Sequence, residues 1–125
     1  MAKKLLIVED DRDIQNYYTF LLADLGLDIR KAFSGEEALQ LLDRDGAVDL
    51  ILLDVVLPGM GGDEFYRILR LERQSTIPVV VCSVDERMSQ RVQAVGAVQG
   101  IFTKGTKGEE LRGIITTALG GEDPP

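Results

Sequence analysis

Asp54 ends an unbroken apolar run, Leu50-Ile51-Leu52-Leu53, and is followed by Val55-Val56-Leu57-Pro58-Gly59. Proline and glycine cannot continue a strand, so the chain turns there. A carboxylate at the end of a buried strand is costly unless it is paired or meets a cation. Other reactive residues hold similar positions. Glu9-Asp10-Asp11 follows Leu5-Leu6-Ile7-Val8, Ser83 follows Val79-Val80-Val81-Cys82, and Lys104 follows Gly100-Ile101-Phe102-Thr103. Each has an ordinary explanation when taken alone: a solvated acidic turn, a helix cap, a surface lysine. Taken together they form a set with one chemistry. Carboxylates from Asp10, Asp11 and Asp54 repel unless a hard cation joins them, and an all-oxygen site with few protein ligands suits Mg²⁺. The Lys104 ammonium can meet a phosphate oxygen, and the Ser83 hydroxyl can donate to another. A carboxylate with such neighbours is a nucleophile for phosphoryl transfer, with cations neutralising the transferring group.

That set requires elements that bring the strand ends to one edge. Lys4–Val8 reads as a buried strand. Ile14, Tyr17, Tyr18, Leu21, Leu22 and Leu25 repeat at helical spacing, and Gly26 closes that helix. Residues 27–32 are a shorter, more polar strand, placed at a sheet edge. Ser34 and Glu37 have capping-box spacing and open a helix with Ala38, Leu41 and Leu42 inward, ended by Gly46. After Asp54, Gly61-Gly62-Asp63 leads into a helix with Phe65, Ile68 and Leu69 inward. Pro78–Cys82 is a β-branched strand, and Asp85-Glu86 starts a helix carrying Met88, Val92 and Val95. A fifth strand covers residues 100–103. Thr106 and Glu109 have capping-box spacing before a helix with Leu111, Ile114, Ile115, Ala118 and Leu119.

Strand and helix thus alternate five times. Alternation with apolar strands predicts a parallel sheet with helices on both faces, an α/β three-layer sandwich. A flavodoxin-like (βα)5 fold in strand order 2-1-3-4-5 puts its switch point between the first and third strands, where ligands bind at the carboxyl ends. One domain is expected over residues 1–120, with 121–125 a flexible tail or the start of a linker.

Composition narrows the function. The chain has 125 residues, 45% hydrophobic and 28% charged, with net charge −7. That charge disfavours nucleic-acid binding by the domain itself. There is no histidine, which removes the commonest general base and the commonest transition-metal ligand, and there is no tryptophan. Cys82 is the single cysteine and sits in an apolar run, so it reads as a small core residue in a reducing cytosol. No run is long enough to span a membrane, and the amino terminus lacks a signal-peptide pattern, so a cytoplasmic location is expected.

The chain resembles a receiver domain of a bacterial two-component response regulator, through Leu6-Ile7-Val8-Glu9-Asp10-Asp11, Asp54 to Gly62, Ser83 and Lys104. The resemblance spans about residues 3–119. It implies that Asp54 is the phosphorylated residue. It implies that Asp11, Asp54 and the main-chain carbonyl of Val56 bind Mg²⁺ directly, with Asp10 acting partly through water. By the same resemblance Ser83 is the switch hydroxyl and Phe102 its aromatic partner. The implied partner is a sensor histidine kinase or a histidine phosphotransfer protein. The domain would assist only its own phosphotransfer and dephosphorylation. The reporting surface would be the fourth helix, fifth strand and fifth helix, with homodimerisation and partner docking both open.

Three features depart from the family pattern. Gly105 stands where proline usually follows the lysine, in a cis peptide. Val84 is larger than the usual residue after the switch hydroxyl, and is expected to narrow access to the phosphate. Val98, Ile101, Ile114 and Ile115 make the last strand and helix unusually apolar, as a partner surface or as core. Two other classes share the fold. An aspartyl-phosphate phosphatase needs a second aspartate two residues beyond the nucleophile, where this chain has Val56. An FMN carrier needs a Ser/Thr/Gly-rich loop after the first strand, where this chain is acidic.

Overall fold

The structure is a computed structural model and describes residues 2–84 and 86–120. Strands β1 (Lys4–Val8), β2 (Asp28–Ala32), β3 (Leu50–Asp54), β4 (Val79–Ser83) and β5 (Gly100–Thr103) form one parallel sheet in the order β2-β1-β3-β4-β5. Helices α1 (Arg12–Leu22), α2 (Gly35–Asp45), α3 (Gly62–Arg67), α4 (Glu86–Gln93) and α5 (Gly108–Ala118) follow the strands in turn. Asp85, expected at the start of the fourth helix, and the expected tail at 121–125 lie outside the described residues.

The order explains the layering. The chain leaves β1 toward β2 and afterwards moves the other way across the sheet, and right-handed crossovers then put α1 opposite α2, α3 and α4. On one face Leu6, Val8, Ile51, Leu53, Val79 and Val81 pack with Ala38, Leu41, Phe65, Leu69 and Val92. On the other face Leu5, Ile7, Leu50, Leu52, Val80, Cys82 and Phe102 pack with Tyr18, Leu22, Leu111 and Ile115. Every residue of β3 and β4 is buried, as two-faced coverage requires, whereas β2 is half-buried at its edge. Burying each leucine or isoleucine contributes about 2 kcal/mol. The four apolar side chains of β3 therefore offset the several kcal/mol that desolvating the carboxylate at its end costs.

Helix ends follow local chemistry. The Ser34 hydroxyl accepts from the Glu37 N–H at 3.1 Å, as the spacing predicts. Gly26 takes a left-handed conformation at φ 72° after a 3₁₀ turn, Ala23–Leu25, which extends α1. The expected cap at Thr106 is not formed. Lys107 is the N-cap of α5 and gives no side-chain bond, while the Thr106 hydroxyl donates to the Thr103 carbonyl at 2.7 Å. The helix begins one residue later than the spacing suggests because Thr106 is used to close the turn after β5.

Of the four apolar residues expected to mark either a surface or core, Ile115 is fully buried and Ile114 and Val98 pack against the two cores. Ile101 is the exception, 36% exposed on the edge strand β5.

Candidate functional site

The parallel register brings the strand ends together. Val8 pairs with Leu53, Asp54 with Cys82 and Ser83 with Thr103, so the residues that follow β1 and β5 flank Asp54 along one edge. The Lys104 N–H donates to the Ser83 carbonyl at 2.7 Å, and the Val55 N–H donates to the Cys82 carbonyl at 3.2 Å. These bonds carry the sheet one step beyond its last pairs and fix the direction in which each side chain leaves.

The centre of the site is a lysine between two buried carboxylates. Lys104 Nζ lies 3.0 Å from Glu9 Oε1 and 3.1 Å from Asp54 Oδ2. Glu9 is 1% exposed and Asp54 6%. The other Asp54 oxygen, Oδ1, accepts from the Val56 N–H at 3.3 Å. Glu9 Oε2 is buried and has no hydrogen-bond partner among the described residues. Glu9, Asp10 and Asp54 each offer a carboxylate oxygen within 4.8 Å of the others, and Asp10 is on the exposed side of the three.

Burial dominates the electrostatics. Desolvation, then hydrogen bonding to Asp54 and its charge, push the Glu9 carboxyl up to about 8, although Lys104 pulls the other way. Burial also works against the Lys104 ammonium, but hydrogen bonding to Glu9 and the charges of Asp54 and Glu9 outweigh it and hold the lysine above its ordinary value. The Cys82 thiol beneath the site is pushed up to about 12, first of all by burial. It is an inert core group, as its apolar run suggests.

The donor set fits a hard divalent cation: all oxygen, anionic, convergent, with one buried oxygen that has no hydrogen-bond partner among the described residues.

A model of the response regulator receiver domain matches residues 5–116 of this chain. The chain belongs to that family. Receiver domains are the phospho-accepting signalling modules of two-component response regulators. This one is 36% identical over 124 residues to the sensory transduction protein RegX3 of Mycobacterium tuberculosis, covering 95% of this chain and 52% of that protein. It is 37% identical over 123 residues to the response regulator GacA of Pseudomonas aeruginosa, covering 95% and 56%. The crystal structure of chemotaxis protein CheY4 of Vibrio cholerae superposes with a TM-score of 0.83 at 28% identity, covering 94% of this chain and 99% of that one. The chain spans about half the length of these two curated relatives.

Two of the residues expected in the receiver domain's site sit apart from the cluster. Asp11 is not among the converging carboxylates. It is the N-cap of α1, and its Oδ1 accepts from the Asp13 and Ile14 N–H groups at 2.8 and 3.2 Å. Glu9 takes the buried place in the cluster instead. The start of α1 at Arg12 decides this, because the residue before it satisfies orphan helix donors. Phe102 is likewise not beside Ser83. Successive strand residues alternate faces, and Phe102 shares its face with Cys82, Tyr18 and Leu111. Ser83 falls on the Val81 face, where the corresponding residues of β5 are Ile101 and Thr103.

The Lys104–Gly105 peptide of the receiver domain is trans, as are all peptides among the described residues, and Gly105 has φ 95°. The chain leaves β5 through a left-handed glycine in place of a proline bend. Val84, expected to narrow the approach to the acceptor, is exposed. Gly62 is tightly confined. A Cβ there would lie 2.5 Å from the Asp54 carbonyl oxygen, while its N–H donates to the Val55 carbonyl at 2.8 Å. Val56 is 53% exposed, and as an apolar side chain it cannot supply the proton of a phosphatase mechanism.

Proposed function

We propose that Asp54 is the phosphoryl acceptor of this receiver domain, taking the group from a histidine of a sensor kinase or phosphotransfer protein. The observation that carries this reading is the placement of Lys104 Nζ, 3.1 Å from Asp54 and 3.0 Å from Glu9 at the end of the central strand. An Asp54 carboxylate oxygen attacks phosphorus, an O–P bond forms, and the N–P bond to the donor imidazole breaks. The donor nitrogen keeps the electron pair. These 125 residues contain no histidine, so the donor imidazole lies outside them.

Glu9, Asp10 and Asp54 would hold Mg²⁺, together with the main-chain carbonyl of Val56. When bound, the cation neutralises charge developing on the transferred group. Lys104 follows the acceptor oxygen and offers its donors to the phosphoryl oxygens as a point charge. Ser83, at the end of the neighbouring strand, offers a hydroxyl to the same group and draws β4 toward it. By parity, the readout on β5 passes through Ile101 rather than Phe102, onto the surface of α4, β5 and α5. The outer edge of β5, unpaired among the described residues, and exposed Ile101 support docking of a second copy or another partner there. The domain occupies residues 1–120. The lone buried thiol fits a reducing cytoplasm.

The test is labelling with acetyl phosphate and Mg²⁺. Wild-type protein should gain one phosphoryl group that hydroxylamine removes, and Asp54→Asn should gain none. Equal labelling of the variant would assign the chemistry elsewhere.

A further inference from the structure

Gln15 is a fully buried polar residue on the inner face of α1. Its Nε2 lies 3.0 Å from the Ile7 carbonyl, 3.1 Å from the Glu9 carbonyl and 2.9 Å from the Ala32 carbonyl. The Ala32 carbonyl also accepts the Glu9 N–H at 3.1 Å. One amide therefore joins the first helix to the exits of β1 and β2, at the residue whose side chain enters the acceptor cluster. An amide nitrogen has two hydrogens, so three carbonyls share them, and a reversed amide would set its oxygen against three others. Gln15 Oε1 is buried and has no hydrogen-bond partner among the described residues. The residue thus leaves an acceptor unsatisfied while its donors face the strand exits, an arrangement that costs free energy and must be offset by what the donors hold.

We infer that Gln15 is a positioning residue for cation binding. Its amide fixes the backbone turn at Glu9 and thereby sets where the Glu9 and Asp10 carboxylates meet Asp54. This rests on the reading of Glu9, Asp10 and Asp54 as the Mg²⁺ site. Without the amide, the turn has freedom that the cation must remove on binding. The loss falls on affinity for the ion, and the phosphorylation rate at saturating Mg²⁺ stays near that of wild type. Lysine is the informative replacement, because an ammonium has three donors for the three carbonyls.

Mg²⁺ affinity is read from the rise of the melting temperature with ion concentration at constant ionic strength. Gln15→Leu should weaken Mg²⁺ binding by roughly tenfold, the scale of lost outer-shell support, and Gln15→Lys should restore much of it. A folded Gln15→Leu protein with wild-type affinity overturns the inference. So does an equal loss in Gln15→Leu and Gln15→Lys, which would mean packing alone. If Gln15→Leu does not fold, ¹⁵N-labelled wild-type protein decides. Its Gln15 side-chain amide signals should shift with the same Mg²⁺ midpoint as the Asp10 backbone amide, and signals that stay still contradict the role. Wild-type protein that binds no Mg²⁺ by either measurement contradicts the reading of the site itself.

Discussion

The ends of β1 and β3 place similar groups in similar surroundings and treat them differently. Each closes an apolar strand with a buried carboxylate, and each carboxylate has one oxygen on Lys104. Asp54 has its second oxygen on the Val56 N–H, supplied by its own turn. Glu9 has no partner among the described residues on its second oxygen, and burial pushes it up to about 8. The loop after β3 turns back and offers an N–H, whereas the chain after β1 spends Asp11, two residues beyond Glu9, on the first turn of α1. On the proposed reading, the carboxylate with partners on both oxygens is the phosphoryl acceptor, and the one with an oxygen left unfilled among the described residues is a ligand for the cation.

The largest test of this contrast removes the group both carboxylates share. Lys104→Met should slow labelling by acetyl phosphate at saturating Mg²⁺ by about a hundredfold, the scale of a lost electrostatic donor. Initial rates measure it, and a change of less than threefold would mean Lys104 serves only the resting state. The β3 side can be broken through Gly62. A methyl group there meets the Asp54 and Val55 backbone, so Gly62→Ala should lose about 2 kcal/mol, read as a lower urea midpoint at unchanged slope.

The β1 side is sharpened by pH. The folded protein holds the Glu9 proton more tightly than the unfolded chain does. This contribution to stability is therefore full below about 4.5 and is lost as pH rises to about 8. Metal-free protein should lose stability across that window, Glu9→Gln should flatten the loss, and Mg²⁺ should reverse it by stabilising the ionised cluster. A Glu9→Gln profile that falls as steeply as wild type would place the titration on another group.

The smallest effect separates neighbours. Asp11→Ala should cost about 1 kcal/mol as a lost helix cap and leave Mg²⁺ affinity intact, while Asp10→Ala should weaken that affinity. An equal loss of Mg²⁺ affinity in the two variants would return Asp11 to the ligand set.

How far the chain was legible follows the same division. Apolar runs such as Leu50–Leu53 and Val79–Cys82 have no stable place except a covered parallel sheet, so order and layering could be read directly. Asp54 and Lys104 could be read because each is the first charge after such a run. Glu9 and Asp11 could not be told apart by composition. The start of α1 separates them, because it makes Asp11 the residue that caps the helix. Asp11 did carry a usable signal as an N-cap type just before Arg12. The face of Phe102, opposite that of Ser83, depends on register with β4, which a one-residue offset reverses. Gln15 was hidden as a polar residue beside an apolar stripe, although its spacing to Tyr18 and Leu22, the buried residues of α1, marks it as inward.

The most direct measurement is to find which carboxylate carries the phosphoryl group. Protein labelled with acetyl phosphate and Mg²⁺ is reduced with borohydride, which converts a phosphorylated aspartate to homoserine, and the digest is sequenced by mass spectrometry. Homoserine at position 54 alone is the predicted result. Reduction at Glu9 or Asp10, with residue 54 unchanged, would contradict the division between acceptor and ligand.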